Sequence, residues 1–197
     1  MSAIFKSTNR ISPEDYLEGE KFAELRHEYV DGYVYAMAGA SDDHNRIAGN
    51  IFAVLHAALR GKRCEPFSTD MKVKIPPTFA DVFYYPDVMV VCDPGDNSKY
   101  YRERPSVIFE VISPETERTD RREKALAYRQ NPTIQAYVLV EQDRVAATVL
   151  LRADEGWQSE MLEESSSVIK LPAIGVEIPL QRIYERTSLV GAGSQAN

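Results

Sequence analysis

The chain has 197 residues, 44% of them hydrophobic and 27% charged, which suits one self-supporting core and excludes disordered and collagen-like classes. A net charge of −7 excludes a protein that coats nucleic acid by bulk electrostatics. No apolar run reaches the roughly 18 residues of a membrane span, and the start MSAIFKSTNR lacks an apolar leader, so a cytoplasmic location is the default expectation.

Residues 1–10 read as an N-terminal extension, 11–186 as a single domain and 187–197, ending GAGSQAN, as a flexible tail. Ser12-Pro13 followed by Glu14 and Asp15 supplies an N-cap, a first-turn proline and an acidic first turn for a helix over 13–19, with a second short helical piece over 21–26. EYVDGYVYAM, residues 28–37, is rich in Tyr and Val and is interrupted by Asp31-Gly32, a dipeptide suited to a tight hairpin turn. Ile47, Ile51, Val54, Leu55, Ala58 and Leu59 recur at helical spacing and predict the main amphipathic helix over 44–60, ended by Gly61.

Strands are expected over 65–67, 71–75, 84–92 and 106–112, punctuated by Pro76-Pro77 and the turn residues 93–97. The last of these, VIFEVI from Val107, is apolar on both faces except for Glu110; such a strand is covered on both sides, which puts Glu110 in a buried or half-buried place. Thr119 or Asp120 caps a helix over 120–129, on which Lys124 and Tyr128 follow Asp120 at four-residue steps. Residues 136–141 and 145–152 form a hairpin through Gln142 and Asp143, and 156–162 adds an edge strand. The order predicts a mixed sheet with helices on its faces. Cys64 and Cys92 lack metal-ligand spacing and are expected to be small buried hydrophobes.

Asp87 opens the apolar stretch VMVV and Glu110 lies inside another, so neighbouring strands can bring the two carboxylates to one point. Two such groups in a partly dry place repel unless a proton or a cation intervenes, and a hard divalent cation with oxygen ligands is a natural remedy. A strand-end aspartate and a salt-bridged glutamate explain the same spacing. Lys124 beside a metal-bound phosphate stabilises developing charge or positions water; alone it is an ordinary helix lysine with Asp120 four residues before it. Glu28, ahead of the hairpin, offers a further oxygen ligand or base, or a surface partner for Arg26 or His27. His44, at the start of the long helix, is an accessory position for a phosphate or metal, or simply part of a helix start. From Lys99 to Arg129 eight cations face six anions, a local reversal of the chain's acidity that also fits a solvated helix face.

The succession EYVDGYVYAMAGAS with His44, YYPDVMVVC, RPSVIFEVISPETERTDRREKALAY and QAYVLVEQD resembles the Uma2 family, also called DUF820, of the PD-(D/E)XK nuclease superfamily, over about residues 11–185. The resemblance implies an α/β, restriction-endonuclease-like fold: a mixed β-sheet core flanked by helices, with added β-hairpins. It places the superfamily's aspartate at Asp87 and its second acid at Glu110, both as ligands of Mg²⁺ or Mn²⁺, with the Val111 carbonyl beside them. The position two after the acid, where the superfamily motif has lysine, is Ile112; the resemblance implies that the lysine has moved to the following helix as Lys124. Glu28 resembles an extra acid near the N-terminal part of the core, His44 matches a histidine of Uma2-like segments, and Asp120 is a second accessory position.

The activity implied is that of a DNA endonuclease in which Asp87, Glu110, Lys124 and Glu28 act on a phosphodiester, and Lys72, Lys74, Arg118, Arg121 and Arg122 touch the phosphate backbone. A homodimer suits cleavage of both strands. The overall acidity and Ile112 keep a second expectation open, a non-catalytic nuclease-like module that binds nucleic acid or protein. No G-x-S-x-G turn is present, and neither Cys64 nor His56 has an evident orienting partner, which sets a serine or cysteine hydrolase aside.

Overall fold

The computed structural model describes residues 10–37, 39–76, 81–114 and 116–190. Most of the expected extension, and the tail from residue 191 onward, lie outside the described residues, as does Pro77 of the predicted Pro76-Pro77 turn. Helix α1 (Pro13–Glu20) starts where its cap predicts, with the Ser12 hydroxyl accepting the Asp15 amide. The segment after it is not helical as expected. The Lys21 and Phe22 amides close α1 on the Glu18 and Gly19 carbonyls, and the His27 amide turns back onto the Glu20 carboxylate.

Strands β1 (His27–Val30) and β2 (Tyr33–Ala36) form the predicted hairpin, with Val30 paired to Tyr33. Its two turn residues both take positive φ, 48° at Asp31 and 88° at Gly32, as a two-residue turn of this hand requires. Gly32 also lies so close to Arg10 that an added Cβ would meet that side chain at 2.9 Å. Helix α2 (Asp42–Leu59) is capped by Ser41, which accepts the His44 amide, and buries Ile47, Ala48, Ile51, Leu55 and Leu59.

Six strands follow: β3 (Glu65–Ser68), β4 (Lys72–Ile75), β5 (Val82–Tyr84), β6 (Val88–Val91), β7 (Tyr101–Arg102) and β8 (Pro105–Ile112). The single strand expected over 84–92 is in fact two strands in two different sheets. Pro86 has no amide to donate, so the ladder breaks there, and Asp87 is left at the junction. The chain then winds through a π-helical turn (Thr119–Lys124) into α3 (Ala125–Gln130). It continues as β9 (Ala136–Glu141), β10 (Ala147–Ala153) and β11 (Gly156–Leu162), and ends with β12 (Val168–Leu171), β13 (Val176–Pro179) and α4 (Leu180–Ile183), three elements not predicted from the pattern.

The larger sheet has the order β11-β10-β9-β8-β6-β3 and is antiparallel except for β8 with β9, the pair joined by the π-turn and α3. The smaller has the order β2-β1-β5-β4-β7, and β12 pairs with β13 alone. Alternate residues of β8 serve different cores. Val107, Phe109 and Val111 pack with α2, α4 and the β12–β13 ribbon, whereas Ile108 and Ile112 face α3 and the smaller sheet. Tyr16, Tyr29 and Phe83 make a third cluster that seats α1 on the outer face of the smaller sheet.

Cys64 and Cys92 depart from the expectation of separate buried thiols: they are joined by a disulfide. The cause is register. Glu65 pairs with Val91, so the residues just outside that pair stand opposite each other, with Cα atoms 4.0 Å apart. At the C-terminal end, Thr187 is buried on the Tyr184 carbonyl and the Ser188 amide reaches Asp43 at 2.9 Å, so the segment expected to be loose is anchored where it begins. No helix among the described residues is long and apolar enough to cross a membrane.

Tyr184 ties this end to the larger sheet. Its buried hydroxyl lies 2.7 Å from the Glu141 carbonyl and 2.8 Å from the Ala146 carbonyl, and it accepts the Ala146 amide at 3.2 Å. Tyr184→Phe leaves that amide buried without a partner and is expected to lower the unfolding free energy by about 1–3 kcal/mol in urea melts; an unchanged midpoint and slope would show that the hydroxyl is dispensable.

Candidate active site

Glu110 projects from the face of β8 that carries Ile108 and Ile112, toward α3. Asp87 is its counterpart across the sheet. Val88 pairs with Phe109, which sets Asp87 opposite Glu110 one step beyond that pair, on the same side as Met89. Its Oδ2 accepts the Val111 amide at 2.7 Å and lies 3.4 Å from His44 Nε2, so the aspartate is clamped between the start of α2 and the residue after Glu110.

The π-helical turn brings in the third group. Lys124 Nζ stands 3.0 Å from Glu28 Oε1, 3.2 Å from Glu110 Oε1 and 3.3 Å from Asp120 Oδ1. Glu110, Asp120 and Lys124 are only 3%, 2% and 6% exposed, so these are interior charges rather than surface pairs. Tyr128, one turn further along, donates to Glu110 Oε1 at 2.9 Å, and the Tyr84 ring lies 5.5 Å from the ammonium. Asp120 Oδ1 is buried and has no aligned hydrogen bond, although the ammonium is within ion-pair distance. The contact is an ion pair without hydrogen-bond alignment.

Three carboxylates on one lysine leave surplus negative charge, and Glu110 responds to it. Burial drives Glu110 well above the ordinary carboxylate range; Lys124 opposes this, and Asp120, Asp87 and Glu28 add to it. Burial alone would lower Lys124, but Glu110, Glu28 and Asp120 outweigh it and raise the lysine well above its usual value, so it stays an ammonium. Burial also lowers His44, and Asp87 together with the Val111 carbonyl more than reverses this, which favours the imidazolium beside Asp87.

Among the described residues no three His, Cys, Asp or Glu side chains are grouped so that they could hold a metal ion. The donor chemistry nevertheless fits a hard divalent cation, which needs only one or two carboxylates and completes its shell with water. Asp87 and Glu110 would supply the oxygens and the surplus negative charge the attraction, while Asp120 Oδ1 is a buried acceptor in an ion pair without an aligned hydrogen bond.

The structure thus gathers Asp87, Glu110, Lys124, Glu28, Asp120 and His44, and it scatters the predicted phosphate contacts. Lys72 is buried on the α1 side of the smaller sheet, where Nζ donates to Tyr85 and Tyr85 donates to Glu20, each at 2.9 Å. Lys74 pairs with Glu103 at 3.0 Å, Arg118 with Glu123 at 3.1 Å, and Arg121 with both Glu117 and Glu141, while Arg122 is exposed. Two tyrosines of the site had no role in the sequence reading. Tyr128 was visible as the next step on the helical face of Lys124, whereas nothing local marks Tyr84.

Comparison with known proteins agrees with this architecture. The Uma2 family, described as "Putative restriction endonuclease", matches residues 13–181. An uncharacterized protein of Synechocystis sp., slr1290, is 35% identical over 176 residues, covering 89% of this chain and 92% of its own length. A second, sll1609, is 32% identical over 142 residues, covering 71% and 79%. A crystal structure from Anabaena variabilis, described as "a putative nuclease belonging to DUF820", superposes with a TM-score of 0.71 at 16% identity, over 88% of this chain and 97% of that one. This last likeness concerns the fold.

The charge balance has a measurable consequence. Because the folded-state value of Glu110 lies above the ordinary 4.5, the folded protein keeps a proton there that the unfolded chain releases, and stability declines as pH rises from 4.5 toward the folded value. Glu110→Gln removes this dependence. Its advantage over the parent in urea unfolding is expected to grow with pH above that ordinary value and to level off below it; a difference that stays constant from acid to neutral pH contradicts the assignment.

Proposed function

The chain belongs to the Uma2 family, and on that premise we propose that its acidic site hydrolyses DNA phosphodiester bonds with Mg²⁺ or Mn²⁺. The observation that carries this is the convergence of Glu28, Glu110 and Asp120 on Lys124, beside an Asp87 clamped at the residue next to Glu110. Asp87, Glu110 and the Val111 carbonyl would hold the cation, which when bound would supply Lewis-acid polarisation of the phosphate and a water activated near neutral pH.

The side chains do the rest. Lys124, kept charged by its neighbours, places a positive charge where the phosphate oxygens gain negative charge, and its dry surroundings strengthen that interaction. Glu28 Oε1, shared between Lys124 and the Tyr85 amide at 3.4 Å, is placed to accept a proton from the attacking water. His44 and the Val111 amide hold Asp87, and Tyr128 holds Glu110, so both acids meet their ligand in a fixed orientation. Lysine from a helix thereby takes the place of the residue at Ile112, whose side chain is packed into the core.

Duplex contacts fall to Arg118 and Arg122 near the π-turn, to Arg121 and to Lys74, and they position the backbone without reading sequence; Lys72, buried on Tyr85, takes no part. A homodimer serves cleavage of both strands. A second reading, a binding module without turnover, draws on the net charge of −7 and on the acids that pair with Lys74, Arg118 and Arg121.

Purified protein with Mn²⁺ is expected to nick supercoiled plasmid, and Asp87→Ala and Lys124→Ala are expected to slow nicking by about 10²-fold or more. Calorimetry should show Mn²⁺ uptake that depends on Glu110. Intact plasmid and single-stranded DNA under these conditions, or equal nicking by Asp87→Ala, would rule out the nuclease; the same result without Mn²⁺ heat favours the binding module.

A further inference from the structure

A lysine delivered by a helix needs its own means of being held. Side chains four residues apart fall on one side of a helix, and Asp120, Lys124 and Tyr128 share one buried face. Residues 119–124 wind as a π-helical turn, with more residues per turn than an α-helix. All three side chains are buried. The turn is pinned to β9 at two points: Tyr137 donates to the Asp120 carbonyl at 2.9 Å, and Arg121 pairs with Glu141.

Each carboxylate on Lys124 differs in what else it must do. Glu110 already accepts from Tyr128 and is a cation ligand under the function proposed above, on which this inference rests. Glu28 belongs to β1, a separate element, and also faces the Tyr85 amide. Asp120 travels on the same turn as the lysine, and its Oδ1 is a buried acceptor with no aligned donor. When a divalent cation claims Glu110, the ammonium loses that counter-charge and is repelled by the new one. Asp120 Oδ1, 3.3 Å from Nζ and carried on the lysine's own turn, is the acceptor left to take up that charge.

We propose that Asp120 is a positioning residue that retains Lys124 at the reaction centre once a divalent cation has taken up Glu110. Asp120 Oδ1, buried, in ion-pair reach and without an aligned hydrogen bond, is then an acceptor held ready for the cation-bound state. The π-turn carries both side chains.

Asp120→Asn keeps the size of the side chain and removes its charge. In the parent protein the Lys124 ammonium, observed by ¹H–¹⁵N NMR and assigned with Lys124→Arg, should persist as a slowly exchanging signal when Mg²⁺ is added. In Asp120→Asn with Mg²⁺ its exchange should quicken by about tenfold or more, the loss of one charge-assisted hydrogen bond. Mg²⁺ affinity should stay unchanged, kcat for nicking should fall by about 10²-fold with KM for DNA unchanged, and Asp120→Glu should recover part of it. An ammonium signal in Asp120→Asn as slow as the parent's overturns the proposal and leaves the nuclease assignment standing. If the parent takes up Mg²⁺ but cuts nothing, the nuclease assignment falls while the exchange comparison still decides the role of Asp120. If the parent takes up no Mg²⁺, both fall.

Discussion

An ammonium group shut away from water has to be surrounded by negative charge, and Lys124 meets this condition with three carboxylates drawn from three parts of the chain. Glu28 comes from the first hairpin, Glu110 from the central strand and Asp120 from the crossover turn, so the ion cluster joins the smaller sheet, the larger sheet and the connection between β8 and β9. The arrangement is over-supplied with acid. That excess is poor design for stability, since buried ion pairs recover their desolvation cost only when charge and hydrogen bonds balance. It is good design for attracting a cation.

The apolar scaffold makes such a cluster tolerable. β8 is covered on both faces, by α2, α4 and the β12–β13 ribbon on one side and by α3 and the smaller sheet on the other. Glu110 is thereby immersed in a dry layer between Ile108 and Ile112, and its neighbours Tyr128 and Tyr137 pack edge to face with ring centroids 5.0 Å apart. Burial raises Glu110, and the same burial strengthens every charge interaction around it.

The break at Pro86 has an equally large effect. Had the segment from Tyr84 to Cys92 run on as one strand, its residues would have shared a single ladder. Instead Tyr84 ends the smaller sheet with its ring toward Lys124, Tyr85 turns to the Glu20 and Lys72 network under α1, and Asp87 begins the approach to the larger sheet with its side chain on the Val111 amide. Three consecutive functions of the chain thus follow from one missing amide.

The pattern of residues by itself determined a great deal: the capped starts of α1 and α2, the Asp31-Gly32 hairpin, and the doubly covered strand that buries Glu110 all depend on neighbours within a few positions. The four-residue steps from Asp120 to Lys124 to Tyr128 were legible for the same reason, and the family resemblance singled out Lys124 in place of Ile112. What lay beyond reach depends on register and winding between distant segments. The Cys64–Cys92 bond follows from the offset of β3 on β6, 28 residues apart. The retreat of Lys72 from any phosphate follows from Tyr85 and Glu20 meeting across the smaller sheet. The meeting of Glu28 with Lys124 follows from a hairpin and a crossover turn that share no local signal. Local chemistry chose which residues were worth bringing together; only the packing of two sheets around one buried ammonium decided which of them met.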